Sequence, residues 1–470
     1  MRSQWRHLGF LGPNRGAISF EGSQLTFTPN SQVTISAGEI AIRNGSLVVE
    51  GGELALTAMG ETTGAVPVNG AFAGEANGKL TIENNEWNDD HPLGLDVSGK
   101  SGGKLWIRSG ETQFVNAIAW ADNWDSEGTA QGVDIAVENL TMNNSIVTSD
   151  ALEGNSGSVN VRARGDAKIL GASLVGSRTY GSGNAGDINL TARNLLIDRL
   201  DAGIHFGIFA GVEERATGRG GNLSVNISDT LTLAGTGVGL YSETYGEGDA
   251  GDAIITANIL NLDGGQISTS TLWGSGRAGN LSINIADRLT MTYGSSIGST
   301  SIVSQGTAGD LNIMVGSDLN ISGGSTIASH NVPFEGVDIS EFPAGNPGNV
   351  KVTVGDMLRI SNSSYIGSAT WVRGDGGNVT VNAGNLLIES DDVTASITGI
   401  WANTTYNPNN TGNAGNVTVN VADTLTIEGW QSTISSGTDT KGDAGKVTVT
   451  ANHLNLLNGG QINTNTYSTG

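Results

Sequence analysis

Apolar and polar positions alternate with period two along nearly the whole chain, in short runs cut by Gly, Asn and Asp. The stretch after Gly415 is representative. Asn416–Val421 (NVTVNV) alternates, Ala422–Asp423 interrupts, Thr424–Ile427 (TLTI) alternates again, Gly429 interrupts, and Ser432–Ser436 (STISS) forms a third run. Alternation bounded by turn-forming residues is the mark of β-strands with one buried face. No segment carries a helical period of useful length.

The runs recur in a fixed frame. A signature G-x-A-G-[ND]-[VIL]-x-[VI] reads GNAGDINL at Gly183–Leu190, GRAGNLSI at Gly276–Ile283 and GNAGNVTV at Gly412–Val419. Its second glycine falls at Gly157, Gly186, Gly221, Gly251, Gly279, Gly309, Gly348, Gly377, Gly415 and Gly445, mostly 28 to 30 residues apart with three longer steps. One such repeat cannot bury its apolar face alone, whereas neighbours that share backbone bonds can. Three strands per repeat, all running the same way in successive repeats, predict an all-β solenoid, the parallel β-helix. A propeller blade would need about 40 residues and four strands.

Three segments follow from this rhythm. Residues 1–60 carry shorter runs (Ala17–Phe20, Gln24–Phe27, Gln32–Ile35, Glu39–Ile42, Ser46–Val49, Glu53–Leu56) and read as short coils. Residues 61–150 are less regular, and residues 151–470 hold the regular repeat. About fifteen coils at about 4.8 Å each predict a rod on the order of 70 Å long.

Equivalent positions of a solenoid lie over one another, so the repeat predicts columns. One is Asn or Asp after the second motif glycine: Asp187, Asn222, Asp252, Asn280, Asp310, Asn349, Asn378 and Asn416. Stacked amides there would bond along the column. A second precedes the middle strand: Asn194, Asp229, Asn258, Asp287, Asp318, Asp356, Asn385, Asp423 and Asn452. It reads either as Asx turns or as weak oxygen ligation of cations. The third is aromatic: Tyr180, Tyr245, Trp273, Phe342 and Trp371, with Trp401 and Tyr467 in a comparable place. Those rings either cover an edge of the core or face outward to stack on sugars or partner side chains. Three repeats are stretched, at His205–Gly218, His330–Gly345 and Trp401–Gly412. Such insertions project from one side of a solenoid. The edge bearing Tyr180, Tyr245, Trp273, Phe342, Trp371, Trp401 and Tyr406 is therefore the expected contact surface.

Composition narrows the function. The 470 residues include 71 Gly and only 8 Pro, which points to many tight turns. The formal net charge of −23 repels nucleic acid and anionic lipid. No run is long and apolar enough to span a membrane. The absence of Cys excludes disulfides, thiolate metal sites and cysteine nucleophiles, and suits export in an unfolded state. Met1–Phe10 lacks the apolar core of a signal peptide. Chemistry is sparse: carboxylates gather only at Asn88-Asp89-Asp90-His91 and at Asp391-Asp392. His7, His91, His205, His330 and His453 are scattered and read as surface or turn residues. No nucleophile elbow, phosphate loop or dinucleotide fingerprint occurs. The expectation is a non-enzyme without cofactor or metal.

The repeat, with GEIAIRNGSLVVEGGELAL at Gly38–Leu56 and the related LNLDGGQISTST at Leu260–Thr271, resembles the filamentous-haemagglutinin-like exoproteins of two-partner secretion, especially the large cyanobacterial members called S-layer family proteins. The resemblance spans most of the chain. It implies a right-handed parallel β-helix with three short strands per coil, passage through an outer-membrane partner transporter, and a secreted, cell-surface role as adhesin or structural exoprotein. The resemblance implies no particular ligand; surface glycans and other cells are the candidate partners. The family's export signal and amino-terminal secretion domain are not in this sequence, so both ends are expected to be cut. The alternatives are a polysaccharide-binding or polysaccharide-cleaving β-helix, which a carboxylate cluster on adjacent coils would favour, and a decayed fragment that is never exported.

Overall fold

The structure, a computed structural model, describes residues 6–12, 15–87, 92–125, 128–199, 206–302, 304, 306–332, 345–371, 374–390, 397–405, 412–439 and 441–466. Those residues form strands and turns with no helix, and no helix is long and apolar enough to cross a membrane. The chain divides into two compact units, Met1–Ser228 and Asp229–Gly470.

Each unit repeats one arrangement. A strand pairs in parallel with the equivalent strand of the next repeat, so like residues fall side by side. In the second unit the first strands align Ala253, Leu281, Leu311, Val350, Val379, Val417 and Val447. The second strands align Leu260, Leu289, Leu319, Leu358, Leu386, Leu425 and Leu454. The third strands align Ile267, Ile297, Ile327, Ile366, Ile400, Ile434 and Ile462. Almost all of these side chains are buried. Each buried Leu or Ile contributes about 1.5–3 kcal/mol of hydrophobic stabilisation. One of each per repeat supplies the interior that a lone repeat lacks.

The first unit follows the same scheme, with Val33, Leu54, Leu105, Val133, Val159, Ile188 and Leu223 in register. The short runs near its start are strands at Ala17–Glu21, Gln24–Thr26, Gln32–Ala37, Glu39–Arg43, Ser46–Val48 and Glu53–Ala58. An excursion follows them. Gly64–Pro67 pairs antiparallel with His7–Phe10, and Met59, Val66, Phe72 and Ala76 bury a small apolar cluster beneath.

Two details differ from the sequence reading. The first and second strands often fuse, as in Lys104–Val115, Gly132–Asn143, Leu281–Thr292 and Val350–Ser361. In Leu281–Thr292 and Val350–Ser361 the intervening Asp287 and Asp356 do not end the strand: backbone bonds continue past them, with a register shift between Val354 and Met357. The Gly316 amide donates to Ile285 O at 2.9 Å, and the Asp356 amide to Ser317 O at 2.9 Å. The motif glycines, moreover, are not turn residues. Gly279 and Gly309 do not adopt positive φ. A Cβ on Gly279 would strike the carbonyl of Gly251, and one on Gly309 the carbonyl of Gly279. Glycine is needed because backbone lies directly on backbone.

Buried hydroxyls hold these glycines from inside. The Gly348 amide donates to Ser329 Oγ at 2.8 Å, and the Gly309 amide to Ser299 Oγ at 2.6 Å. Ser436 donates to Gly415 O at 2.8 Å and accepts from the Gly445 amide at 2.9 Å. Two residues further along, Thr244 donates to Gly248 O at 2.6 Å and Ser301 to Gly306 O at 2.9 Å. The interior is apolar beneath the strands and polar beneath the glycine loop, where backbone would otherwise be buried unpaired.

The expected amide column exists and is directional. Asn349 donates from its backbone and from Nδ2 to Asp310 Oδ1, at 2.7 and 3.2 Å. Asn378 repeats this on Asn349, both at 3.1 Å, and Asn416 on Asn378 at 2.9 and 3.1 Å. Either Asn or Asp can accept, but only Asn adds a side-chain donor. A second column, three residues earlier, went unnoticed in the sequence: Asn346, Asp375, Asn413 and Asp443, each backbone amide donating to the preceding Oδ1. Within each unit no two Asp are neighbours in either column.

Gly279→Ala is expected to cost about 1–3 kcal/mol through forced overpacking, read as a lower denaturation midpoint. Asn349→Asp, which sets two carboxylates side by side, should cost about 0.5–1 kcal/mol at low salt and recover as salt is added. Asn416→Asp, beside Asn378 and Lys446, should show no such salt-dependent loss.

Candidate functional site

Among the described residues, the outward side of the third strands gathers aromatic rings and paired charges. Alternation along Tyr365–Thr370 and Thr398–Thr404 puts Ile366 and Ile400 inside. Tyr365, Gly367 and Ala369, with Gly399, Trp401 and Asn403, therefore take the outer side.

In the second unit four rings meet there. Trp401 lies 5.8 Å from His330, stacked with the ring planes 11° apart, and 4.7 Å from Tyr365. Trp371 meets His330 edge-on at 4.8 Å. Small residues make room for the rings, since Gly367 is the register partner of Trp401 and Ala369 that of His330. His330 Nε2 is sealed from solvent and has no hydrogen-bond partner. Burial pushes the imidazole pKa down to about 4, so it is neutral at physiological pH.

In the first unit the same side holds an acidic row at repeat spacing. Asp122 Oδ1 accepts from the Asp150 amide at 2.7 Å and from Thr148 Oγ1 at 3.2 Å. Asp150 in turn accepts from Arg178, through the backbone amide at 2.9 Å, Nε at 3.1 Å and Nη2 at 2.7 Å. Arg178 also reaches Glu213 Oε1 at 3.3 Å and lies 5.5 Å from the centre of the Tyr180 ring. Burial, and then the Asp150 charge, push the Asp122 carboxyl up to about 8. Asp96 and Trp120 line a 490 Å³ hollow on the same side. The row was readable as Asp122, Asp150 and Arg178, each 28 residues from the last, had charge been aligned along with the glycines, whereas Asp96 is level with Trp120.

The sequence-expected residues divide among these features. Tyr180 is 41% exposed beside Arg178. Tyr245 donates to Glu243 Oε2 at 3.2 Å. That carboxyl is driven up to about 7 by burial, against hydrogen bonds from Ser268 and Tyr245. Trp273 is half exposed on a left-handed backbone, with φ 67°. Phe342, Tyr406 and Tyr467 lie outside the described residues, as do Asn88–His91 and Asp391–Asp392.

Three expectations are corrected. Trp401 is not placed like Trp371: it lies within a third strand, level with Gly367 and Ser435, and is 8% exposed. The aromatic column is broken by aliphatic residues, since Leu272, Ile302 and Val332 share one register on successive third strands. His330 is not a surface or turn residue, because three rings cover it on a strand. The stretch at His205–Gly218 also resolves differently. Phe206–Val212 is the third strand itself and Phe209 is 7% exposed, so the added length lies partly ahead of that strand.

In the Asx column before the middle strand, Asn194 donates to Asp166 at 2.9 Å, and Arg288 pairs with Asp318 at 3.7 Å. Among the described residues no three His, Asp or Glu converge as metal ligands would.

Folding lowers the His330 pKa from an ordinary 6.5 to about 4. The unfolded chain therefore takes up a proton that the folded chain refuses. The stability is complete above pH 6.5 and falls as pH drops toward 4, by on the order of 3 kcal/mol. His330→Phe should remove that slope from a denaturation series run between pH 7 and 4; an unchanged slope would show that His330 is not its source.

Comparison with protein-family models, curated protein sequences and solved structures returned no match to this chain.

Proposed function

We propose that both units are stretches of right-handed parallel β-helix, and that the chain is a non-catalytic surface exoprotein of the filamentous-haemagglutinin-like, two-partner secretion type. The observation that carries the reading is the strand register. Residues one repeat apart pair in parallel, and the same side-chain type returns at the same interior position. A right-handed path is the expected one for parallel strands joined by crossovers. Such a fold devotes its sequence to repetition and offers side chains in rows, which suits attachment more than turnover. A chain without Cys also passes a transporter pore unfolded without disulfides to undo.

The outer side of the third strands is the proposed contact surface, toward surface glycans or neighbouring cells. The Asp122–Asp150 pair, on the same outer side as the hollow lined by Asp96 and Trp120, favours a second reading, cleavage of a polysaccharide held there.

Two measurements test the proposal. Expressed with its native upstream region beside an outer-membrane partner transporter, the chain is expected in the medium or on the cell surface; confinement to the cytoplasm would refute the export route. Beads coated with the purified chain are expected to hold to cells or to polysaccharide films, and adhesion no better than albumin-coated beads would refute the adhesive role. Release of reducing ends from the film, abolished by Asp122→Asn, would favour cleavage instead.

A further inference from the structure

A second hollow on the third-strand side, in the Asp229–Gly470 unit, has a lining suited to one class of ligand. It encloses 390 Å³ across Thr398–Thr404, Ser432–Thr438 and Gln461–Thr466. Its floor is built from outward positions in strict register: Thr433 beside Gln461, Ser435 beside Asn463, Gly437 beside Asn465. Asn403 completes the last row next to Gly437. Trp430, 66% exposed, and Ile397, 50% exposed, give it an apolar flank.

The chemistry is that of hydroxyls and amides. Among the described residues, Asp439 is the one ionisable group in the lining and no cation lines it. Several groups keep unused capacity. Asn403 accepts the Gly437 amide at 3.0 Å through Oδ1, which leaves Nδ2 to donate. Gln461 accepts from Asn463 Nδ2 at 3.2 Å, which leaves Nε2. Thr433 Oγ1 is buried without a partner. Neighbouring strands lie about 4.8 Å apart, close to the length of one pyranose unit in an extended polysaccharide. Within a row, the residues contributed by successive strands therefore recur at the step of a sugar chain.

We propose that this hollow binds a neutral polysaccharide laid across the three strands. One sugar unit meets each strand, the amides and hydroxyls bond its hydroxyls, and the Trp430 indole stacks on a sugar face. A neutral chain fits because an anionic one would meet a protein of net charge −23 with no basic side chain in the lining. A cationic one would find a single carboxylate. The inference deepens the adhesive reading above and rests on it for biological purpose, but the binding event is measurable by itself.

The test is affinity electrophoresis of the full chain through gels holding β-1,4-glucan, β-1,4-mannan, α-1,4-glucan, polygalacturonate or alginate. Titration with the hexasaccharide and disaccharide of the retarding polymer follows. At least one neutral polymer is expected to retard the chain, with the hexasaccharide binding more tightly than the disaccharide. Trp430→Ala should weaken binding about tenfold, with Asn403→Ala and Gln461→Ala weaker by smaller factors. Met314→Ala, a half-exposed residue of a first strand, should bind like wild type. Thermal melts establish that each variant is folded, and Trp430→Phe, which keeps a ring, should retain part of the affinity if Trp430→Ala does not fold. Retardation by no neutral polymer, by the acidic polymers alone, or equally for wild type and all three site variants would overturn the assignment. Wild-type beads that adhere while no neutral polymer binds would remove this site and leave the adhesive reading standing. Beads that fail to adhere while a neutral polymer binds would do the reverse.

Discussion

Strand residues in the regular repeat lie level with their own counterparts one repeat away, their backbones bonded to the residues that flank those counterparts, and nearly everything else in the two units follows from that constraint. It forces like against like. An interior position must accept a copy of itself on either side, so it settles on Val, Leu or Ile, which pack well in rows. A backbone loop that must lie on a copy of itself leaves no space for Cβ and becomes Gly, as at Gly251, Gly279 and Gly309. In the two columns beside the motif glycines a charged position would face a copy of its own charge, and there Asp never follows Asp; the column before the middle strand is different, with Asp287, Asp318 and Asp356 in succession. Hydrophobic period, glycine content and acid–amide alternation are three outcomes of one geometric rule.

The interior divides its labour along each repeat. Aliphatic rows supply most of the burial, while serines and threonines of the third strand bind the motif loops that precede and follow it. These hydroxyls satisfy backbone groups that would otherwise be stranded. They are deletion-sensitive for that reason, although none of them is charged and few would draw notice in the sequence.

How much was legible depended on whether a feature was periodic. Strand positions, the absence of helix and the Asn column from Asp187 to Asn416 all came from counting. The fused strands did not, because Asp287 or Asp356 looks like a breaker in isolation and only the neighbouring repeat shows that pairing runs on. The ring cluster was half visible. Trp371 and Trp401 were singled out, but alignment on the glycines placed Trp401 wrongly, since its repeat is lengthened both before and after the third strand. His330 and Tyr365 were missed because a single aromatic with Gly or Ala as register partner has no periodic signature. The acidic row of the first unit was periodic and was simply not sought among the charges.

The alternation of acid and amide also governs how such a chain could change length. Loss of one whole period between Gly279 and Ala308 would bring Asp310 down beside Asp252, two carboxylates at hydrogen-bonding separation. Loss of the period from Gly348 to Gly376 would instead bring Asn378 beside Asp310, a pairing as good as the one removed. Shortening by recombination is thus tolerated at some junctions and penalised at others. The charge order within a column acts as a record of which repeats are interchangeable.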